Sequence, residues 1–404
     1  MNRQCLSQWY GTGIWRPMYA QRIDAITPFE VMQILARAEE LTAQGAKVIH
    51  FEVGEPDFAT AEPILKAGHD ALDAGATRYT AATGIAPLRE AISEHYRGLG
   101  VAVDPARIVV TNGASGGLSL LCALLLNPDE ELLITDPGYP CNEVFVRQVG
   151  AVPKTVAVAA NTRFQPTVED VAAGWGAATR GMLLASPANP TGSMIRADDL
   201  ADLIAFVTDR QGFVILDEIY QGLTMNAAYQ SGLQVSGDLF VLNSFSKYFG
   251  MTGWRLGWIV VPDSAIEGAT KLAQNLFICP SAPAQHAAVA AFSDAAMVIH
   301  EERAEHFRNR SRRLAEGLRA LGFSIPVEPD GAFYLYVDVS HTGLGSREFC
   351  SRLLEESHVA VTPGTDFGDH QSDRFVRFAF TTSDDDIEVG LNRIAAALAG
   401  WGIA

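Results

Sequence analysis

From residue 28 to 44 the apolar positions Val31, Ile34, Leu35, Ala38 and Leu41 recur at helical spacing, and Gly45 closes the run. Residues 47–53 then read as a strand that enters the turn Gly54-Glu55-Pro56-Asp57-Phe58. Helical patterns follow at 63–74 and 86–99, separated by a polar loop that carries Tyr79. A strand-then-helix rhythm comes next. Short apolar runs at 107–111, 132–135, 152–158, 182–185, 213–216, 239–242 and 256–261 alternate with turns and with helical patterns such as 118–126 and 198–208. Such alternation predicts an α/β domain with a largely parallel sheet covered on both faces. After residue 282 the pattern changes to helices at 284–292 and 299–321, strands at 331–339, 359–362 and 375–380, and a closing helix at 384–398, which together predict a smaller α+β domain.

Composition narrows the function without naming it. The chain has 404 residues, 48% of them hydrophobic and 19% charged, which fits a globular protein of more than one core. A net charge of −17 excludes broad contact with a nucleic-acid backbone but permits a local basic pocket for a small anion. No apolar stretch approaches the roughly 20 residues of a membrane span. The first 22 residues lack apolar periodicity and a cleavage pattern, and are expected to form an arm rather than a signal peptide. Cys5, Cys122, Cys141, Cys279 and Cys350 show no C-x-x-C spacing, the usage expected of reduced thiols in the cytoplasm.

Ligands of open α/β sheets bind beyond the carboxyl ends of the strands. The polar residues falling there are Asn112 to Gly117, Tyr139, Asn189, Asp217 with Tyr220, Ser244 with Lys247, and Arg255. The glycine-rich turn 112–117 between strand and helix can admit a phosphate to exposed N–H groups, or be a plain turn. Asp217, where an apolar strand ends, can cap a helix, bind a metal or keep a pyridinium nitrogen protonated. Lys247 follows an apolar strand and shares a short segment with Ser244 and Arg255. Neighbouring cations and partial desolvation would lower its amine below the usual value of about 10.4, as a Schiff-base lysine needs. His300 and His306 are six residues apart, not the spacing of a zinc helix, and the segment reads as a solvated helix face. Ser383 followed by three aspartates reads as a helix start, and no metal site is expected.

The motif Ser244-Phe-Ser-Lys247-Tyr-Phe-Gly-Met-Thr-Gly-Trp-Arg255-Leu-Gly, with Asn189-Pro-Thr-Gly and Asp217-Glu-Ile-Tyr220, resembles the class I/II aminotransferases of the fold-type I pyridoxal phosphate enzymes. Gly54-Glu-Pro-Asp-Phe58 and Gly331-Ala-Phe-Tyr334 are similar to their bacterial aspartate/aromatic/alanine-type subgroup. The resemblance implies pyridoxal 5'-phosphate as cofactor and ping-pong transfer between an L-amino acid and a 2-oxo acid. It implies that Lys247 forms the Schiff base and shuttles the proton, that Asp217 pairs with the ring nitrogen, that Asn189 and Tyr220 bond the 3'-oxygen, and that Tyr139 stacks on the ring. Ala114, Ser115, Ser244 and Arg255 would hold the phosphate, with Tyr79 reaching in from a partner subunit. Arg377 would clamp the substrate α-carboxylate together with Gly54; read alone, Arg377 fits equally a solvent-facing strand arginine. A homodimer is implied, as are cis bonds at Asp136-Pro137 and Asn189-Pro190. The expected division is an arm 1–22, a small domain of 23–50 with 283–404, and a large cofactor-binding domain 51–282. The same scaffold supports a β-lyase or decarboxylase, and less well a cofactor-sensing regulatory domain. Residues 272–285, where some dicarboxylate-specific relatives place a second arginine, contain none here, which favours neutral or aromatic side chains. Tyr19, Phe29, Phe58 and Tyr334 are the pocket candidates.

Overall fold

A computed structural model describes residues 20–225 and 231–403; Tyr19 and most of the expected arm lie outside them. The chain opens with α1 (Glu30–Ala43), β1 (Ile49–His50), α2 (Glu62–Asp73), α3 (Ala86–Gly98), β2 (Ile108–Thr111), α4 (Gly113–Leu125), β3 (Glu131–Asp136), α5 (Cys141–Gln148), β4 (Val152–Ala157) and α6 (Val168–Gly174). It continues through β5 (Thr179–Ala185), α7 (Ala197–Thr208), β6 (Phe213–Asp217), β7 (Phe240–Ser244), β8 (Gly257–Val260), α8 (Ile266–Leu276), α9 (Ala282–Val289) and α10 (Asp294–Ala320). The last elements are β9 (Tyr334–Asp338), α11 (Ser346–Ser357), β10 (Val359–Ala360), β11 (Thr362–Pro363), β12 (Phe375–Ala379) and α12 (Asp384–Trp401).

Seven strands form one sheet in the order β2-β8-β7-β6-β5-β3-β4, with β8 antiparallel to both its neighbours and the rest parallel. Its central strands are almost wholly buried and read as continuous apolar runs (Met182 to Leu184, Val214 to Leu216, Phe240 to Leu242), because helices cover both faces. Parallel strands bring their carboxyl ends to one edge. Asp136, Asp217 and Ser244, each the last residue of its strand, therefore lie along that edge. The reversed strand β8 begins at the same edge, which is how Arg255, two residues before it, joins residues that end the other strands. A second, antiparallel sheet has the order β11-β12-β9, and β1 pairs in parallel with β10.

The α/β class holds, and four local expectations are corrected. Of the expected strand 47–53 only Ile49–His50 pairs, since its partner β10 is itself two residues long. The expected strand 359–362 is two strands in different sheets, β10 against β1 and β11 against β12. The glycine-rich segment is not a turn before a helix: α4 starts at Gly113, and 113–117 are its first turns. His300 faces the core rather than solvent. Helical periodicity puts it on the buried stripe with Ala296, Ala304 and Phe307, against the rings of Tyr248 and Phe249, and burial pushes its imidazole down to about 4. The two anticipated cis bonds are present, with a third at Ser186-Pro187. No helix among the described residues is long and apolar enough to cross a membrane.

Candidate active site

A cavity of about 310 Å³ opens at the carboxyl edge of the large sheet. Of the twelve candidate residues, eleven line it: Gly54, Ala114, Ser115, Tyr139, Asn189, Asp217, Tyr220, Ser244, Lys247, Arg255 and Arg377. Tyr79 does not, and its side chain stands 83% exposed on the surface.

Lys247 is held three residues beyond the end of β7 by the turn that follows it. Ser246 N–H donates to Ser244 Oγ at 3.0 Å, and Gly250 N–H to the Lys247 carbonyl at 3.1 Å. The part-buried amine donates to the Gly54 carbonyl at 2.7 Å and has no carboxylate partner among the described residues. Burial, helped by the positive charges of Arg377 and Arg255 and opposed by Glu55, brings it down from 10.5 to about 8. Asp217 is 6% exposed and accepts a hydrogen bond from Ile219 N–H at 3.0 Å. Burial pushes its carboxyl up to about 7, against that hydrogen bond and the charge of Lys247. An acid so placed regains its charge when a cation meets it.

Arg377 corrects the solvent-facing alternative: it is 2% exposed. Alternation along β12 does not separate a wet face from a dry one, because both faces of this strand are covered. Its Nη1 donates to Asn189 Oδ1 at 2.9 Å, and its Nη2 to the Glu52 carbonyl at 2.5 Å and to Thr362 Oγ1 at 3.3 Å. The rings of Tyr334 and Phe367 lie 4.3 and 4.8 Å from the guanidinium carbon. No carboxylate among the described residues pairs with it, although a buried unpaired charge is costly. Because a guanidinium only donates, Asn189 must turn its oxygen to Arg377, and its NH₂ is then the end left to donate into the cavity. The Tyr220 and Tyr334 hydroxyls are 2.9 Å apart, and Tyr334 packs against Gly54, where any side chain would collide with its hydroxyl. Burial holds both phenols above their ordinary value. Tyr139 meets Phe29 edge-on at 6.2 Å.

The anion end of the cavity is built by close approach. Ala114 and Ser115 lie in the first turn of α4, whose N–H groups and dipole favour a phosphate. Arg255 adopts a left-handed conformation (φ 55°) and anchors Nη1 on the Thr252 carbonyl at 3.0 Å. Gly113, at φ +72°, lies where a β-carbon would come within 2.6 Å of Arg255 Nη2. A β-carbon on Gly257 would lie 2.8 Å from the Asn243 carbonyl oxygen and 2.9–3.0 Å from backbone atoms of Gly113 and Ala114. Backbone cannot swing aside as a side chain can. Gly257→Ala is therefore expected to push α4 off the sheet edge and weaken cofactor uptake about tenfold or more, read by equilibrium titration of the apoprotein.

The sequence reading missed how Arg377 is seated. Glu52 contributes only a carbonyl and Phe367 only a ring face; neither carries a motif. Thr362 is a hydroxyl inside an apolar run, a weak cue. Phe58, one of the pocket candidates, packs instead against Phe307 at 5.5 Å.

A family model described as aminotransferase class I and II matches residues 46–394. The valine–pyruvate aminotransferase of Mycobacterium tuberculosis is 36% identical over 376 residues, which cover 92% of this chain and 97% of that protein. The (5-formylfuran-3-yl)methyl phosphate transaminase of Methanocaldococcus jannaschii is 35% identical over 381 residues, 93% of this chain and 98% of that one. Among solved structures, an aminotransferase from Mycobacterium tuberculosis superposes with a TM-score of 0.91 at 35% identity, covering 95% of this chain and all of the other.

Proposed function

The chain belongs to the class I and II aminotransferases, enzymes that transfer amino groups and use pyridoxal phosphate, and from that premise we propose that it carries an amino group from an L-amino acid to a 2-oxo acid in two successive half-reactions, with pyridoxal 5'-phosphate bound in the cavity at the carboxyl edge of the seven-stranded sheet. The observation that carries this reading is the meeting of a part-buried amine with a buried carboxylate and a buried guanidinium, none paired with another, around one 310 Å³ space. Three uncompensated ionisable groups are tolerable together only if ligands complete them.

When bound, the cofactor would supply an aldehyde that captures the substrate amine and a ring that accepts the electron pair released from Cα. The first turn of α4, Ser244 and Arg255 would hold its phosphate, Asp217 its ring nitrogen, Tyr139 its face, and Asn189 with Tyr220 its 3'-oxygen. Lys247, once free, would take and return the Cα proton; an amine near 8 is a competent base at neutral pH. Arg377, with its fork already aimed by Asn189 and Glu52, would bind the α-carboxylate alongside the Gly54 N–H. Arg377→Lys keeps the charge and loses the fork, so KM for the amino acid should rise at least about tenfold while cofactor uptake stays unchanged.

We also propose a homodimer in which Tyr79 reaches the partner's phosphate, a reading supported by an aromatic side chain left 83% exposed. The division into 23–50 with 283–404 and 51–282 is supported by the two larger sheets, each drawn from one of these sets. A cytoplasmic setting is supported by free thiols at Cys122, Cys141, Cys279 and Cys350.

The test is a single-turnover panel of amino acids on protein loaded with pyridoxal phosphate. Conversion of its absorbance to that of the aminated cofactor, with release of the 2-oxo acid, is expected. Uptake of no cofactor, or loss of a β-substituent or of CO₂ without amination of the cofactor, would refute the reading.

A further inference from the structure

Tyr334 opens β9 opposite Ala379, and the next pair on the same face is Tyr336 with Arg377. A long side chain reaches such a diagonal neighbour, and the Tyr334 ring centre stands 4.3 Å from the guanidinium carbon of Arg377. The far end of the same side chain meets a different part of the site. Its hydroxyl is 2.9 Å from that of Tyr220, which follows β6 in the large sheet. Both phenols are buried, and among the described residues each hydroxyl has the other as its hydrogen-bond partner. Gly54 leaves room for the contact, since a β-carbon there would collide with the Tyr334 hydroxyl.

A phenol has one proton to donate and can accept as well. In the cofactor-free chain either hydroxyl can be the donor. Bound cofactor would remove that freedom. Tyr220 would direct its proton to the 3'-oxygen, so the contact between the two phenols persists only with Tyr334 donating. Successive hydrogen bonds polarise one another, and an oxygen that accepts on one side donates more strongly on the other.

We propose that Tyr334 is a positioning residue: its hydroxyl donates to Tyr220 and strengthens the hydrogen bond that Tyr220 gives the cofactor's 3'-oxygen, while its ring face supports Arg377. The proposal rests on the reading of the cavity as a transaminase site. In the loaded enzyme the 3'-oxygen and the nitrogen joining Lys247 to the cofactor would share one proton. A better donor to the oxygen leaves that proton less firmly held, so the midpoint at which the absorbance titrates falls. The test is a double-mutant cycle read by absorbance titration of the pyridoxal phosphate-loaded enzyme without substrate. Tyr220→Phe should raise the midpoint by about one pH unit or more, through loss of a hydrogen bond to a charged group. Tyr334→Phe, which keeps the ring, should raise it by roughly 0.3 pH units. In the Tyr220→Phe background the same change should move it by less than about 0.1, because the relay has lost its middle member. Propionate, an unreactive monocarboxylate, should bind Tyr334→Phe within about twofold of the parent by calorimetry, as the retained ring still faces Arg377. A midpoint unmoved by either single change, or a Tyr334→Phe shift as large without the Tyr220 hydroxyl as with it, would overturn the relay alone. So would a shift accompanied by lost propionate binding, which would trace it to a disturbed Arg377. If the parent takes up no pyridoxal phosphate, the transaminase reading fails and the relay with it.

Discussion

Lys247→Ala is expected to lower amino-group transfer at least about a thousandfold, with the variant failing to fix pyridoxal phosphate to the chain on borohydride reduction. The magnitude follows from what no neighbour can replace. The other cations of the cavity are guanidiniums, which do not give up a proton at neutral pH. Tyr220 and Tyr334, whose hydroxyls also line the cavity, are held above their ordinary phenol value by burial. The fold should survive the change. An amine lowered from 10.5 to about 8 costs the cofactor-free chain roughly 3 kcal/mol below pH 8. That cost fades as the pH rises from 8 towards 10.5, because over this range the unfolded chain binds the extra proton. The variant's melting temperature at pH 7 should match or exceed the parent's, so lost activity reports chemistry. In the parent, the rate of cofactor capture should rise with pH about a midpoint near 8, where half the amine is free. Transamination retained by Lys247→Ala, or a capture midpoint near 10.5, would sink the assignment.

Asp217→Ala carries the second large expectation, a loss of about a hundredfold or more, because it removes the buried charge that would keep the ring nitrogen protonated while electrons flow from Cα. The carboxylate also leaves a signature that does not depend on turnover. With its folded value raised from 3.8 to about 7, the native chain binds more protons than the unfolded one between those limits. Its contribution to stability is full below about pH 4 and lost as the pH rises through 7, a swing of roughly 4 kcal/mol. The cofactor-free protein should therefore lose thermal stability between pH 4 and 7 more steeply than Asp217→Asn. Glu218, which burial also pushes up to about 8, is present in both and loses in the variant only the least of its influences, the charge of Asp217. Loading with pyridoxal phosphate, which would offer Asp217 a cation, should remove the difference. Equal pH slopes for parent and variant without cofactor would show that Asp217 is not strained by burial.

Much of the site was legible because its residues follow strand ends, and strand ends are written as apolar runs that stop. Asp217, Ser244, Lys247 and Asn189 could each be placed by that rule alone, and the parallel order of β5, β6 and β7 brings them to one edge. Tyr79, in the polar loop between two helices, stands exposed and outside the cavity. The errors share one cause. Periodicity predicts which positions share a face and says nothing of what covers that face. Hence Arg377 and His300 read as plausibly solvated, yet lie buried under elements hundreds or tens of residues away.

By itself the sequence determined the α/β class and the residue types for a lysine-based chemistry, since each depends on contacts within a strand, a turn or a motif. Only the tertiary structure decided the states and aims of those groups. Burial sets Lys247 near 8 and Asp217 near 7, and packing among β12, β9, the Glu52 carbonyl and Asn189 orients Arg377. The seat of α1 is likewise tertiary, because Asp366 caps it across 335 residues of chain. Desolvation and long-range hydrogen bonds are sums over neighbours that the linear order does not contain.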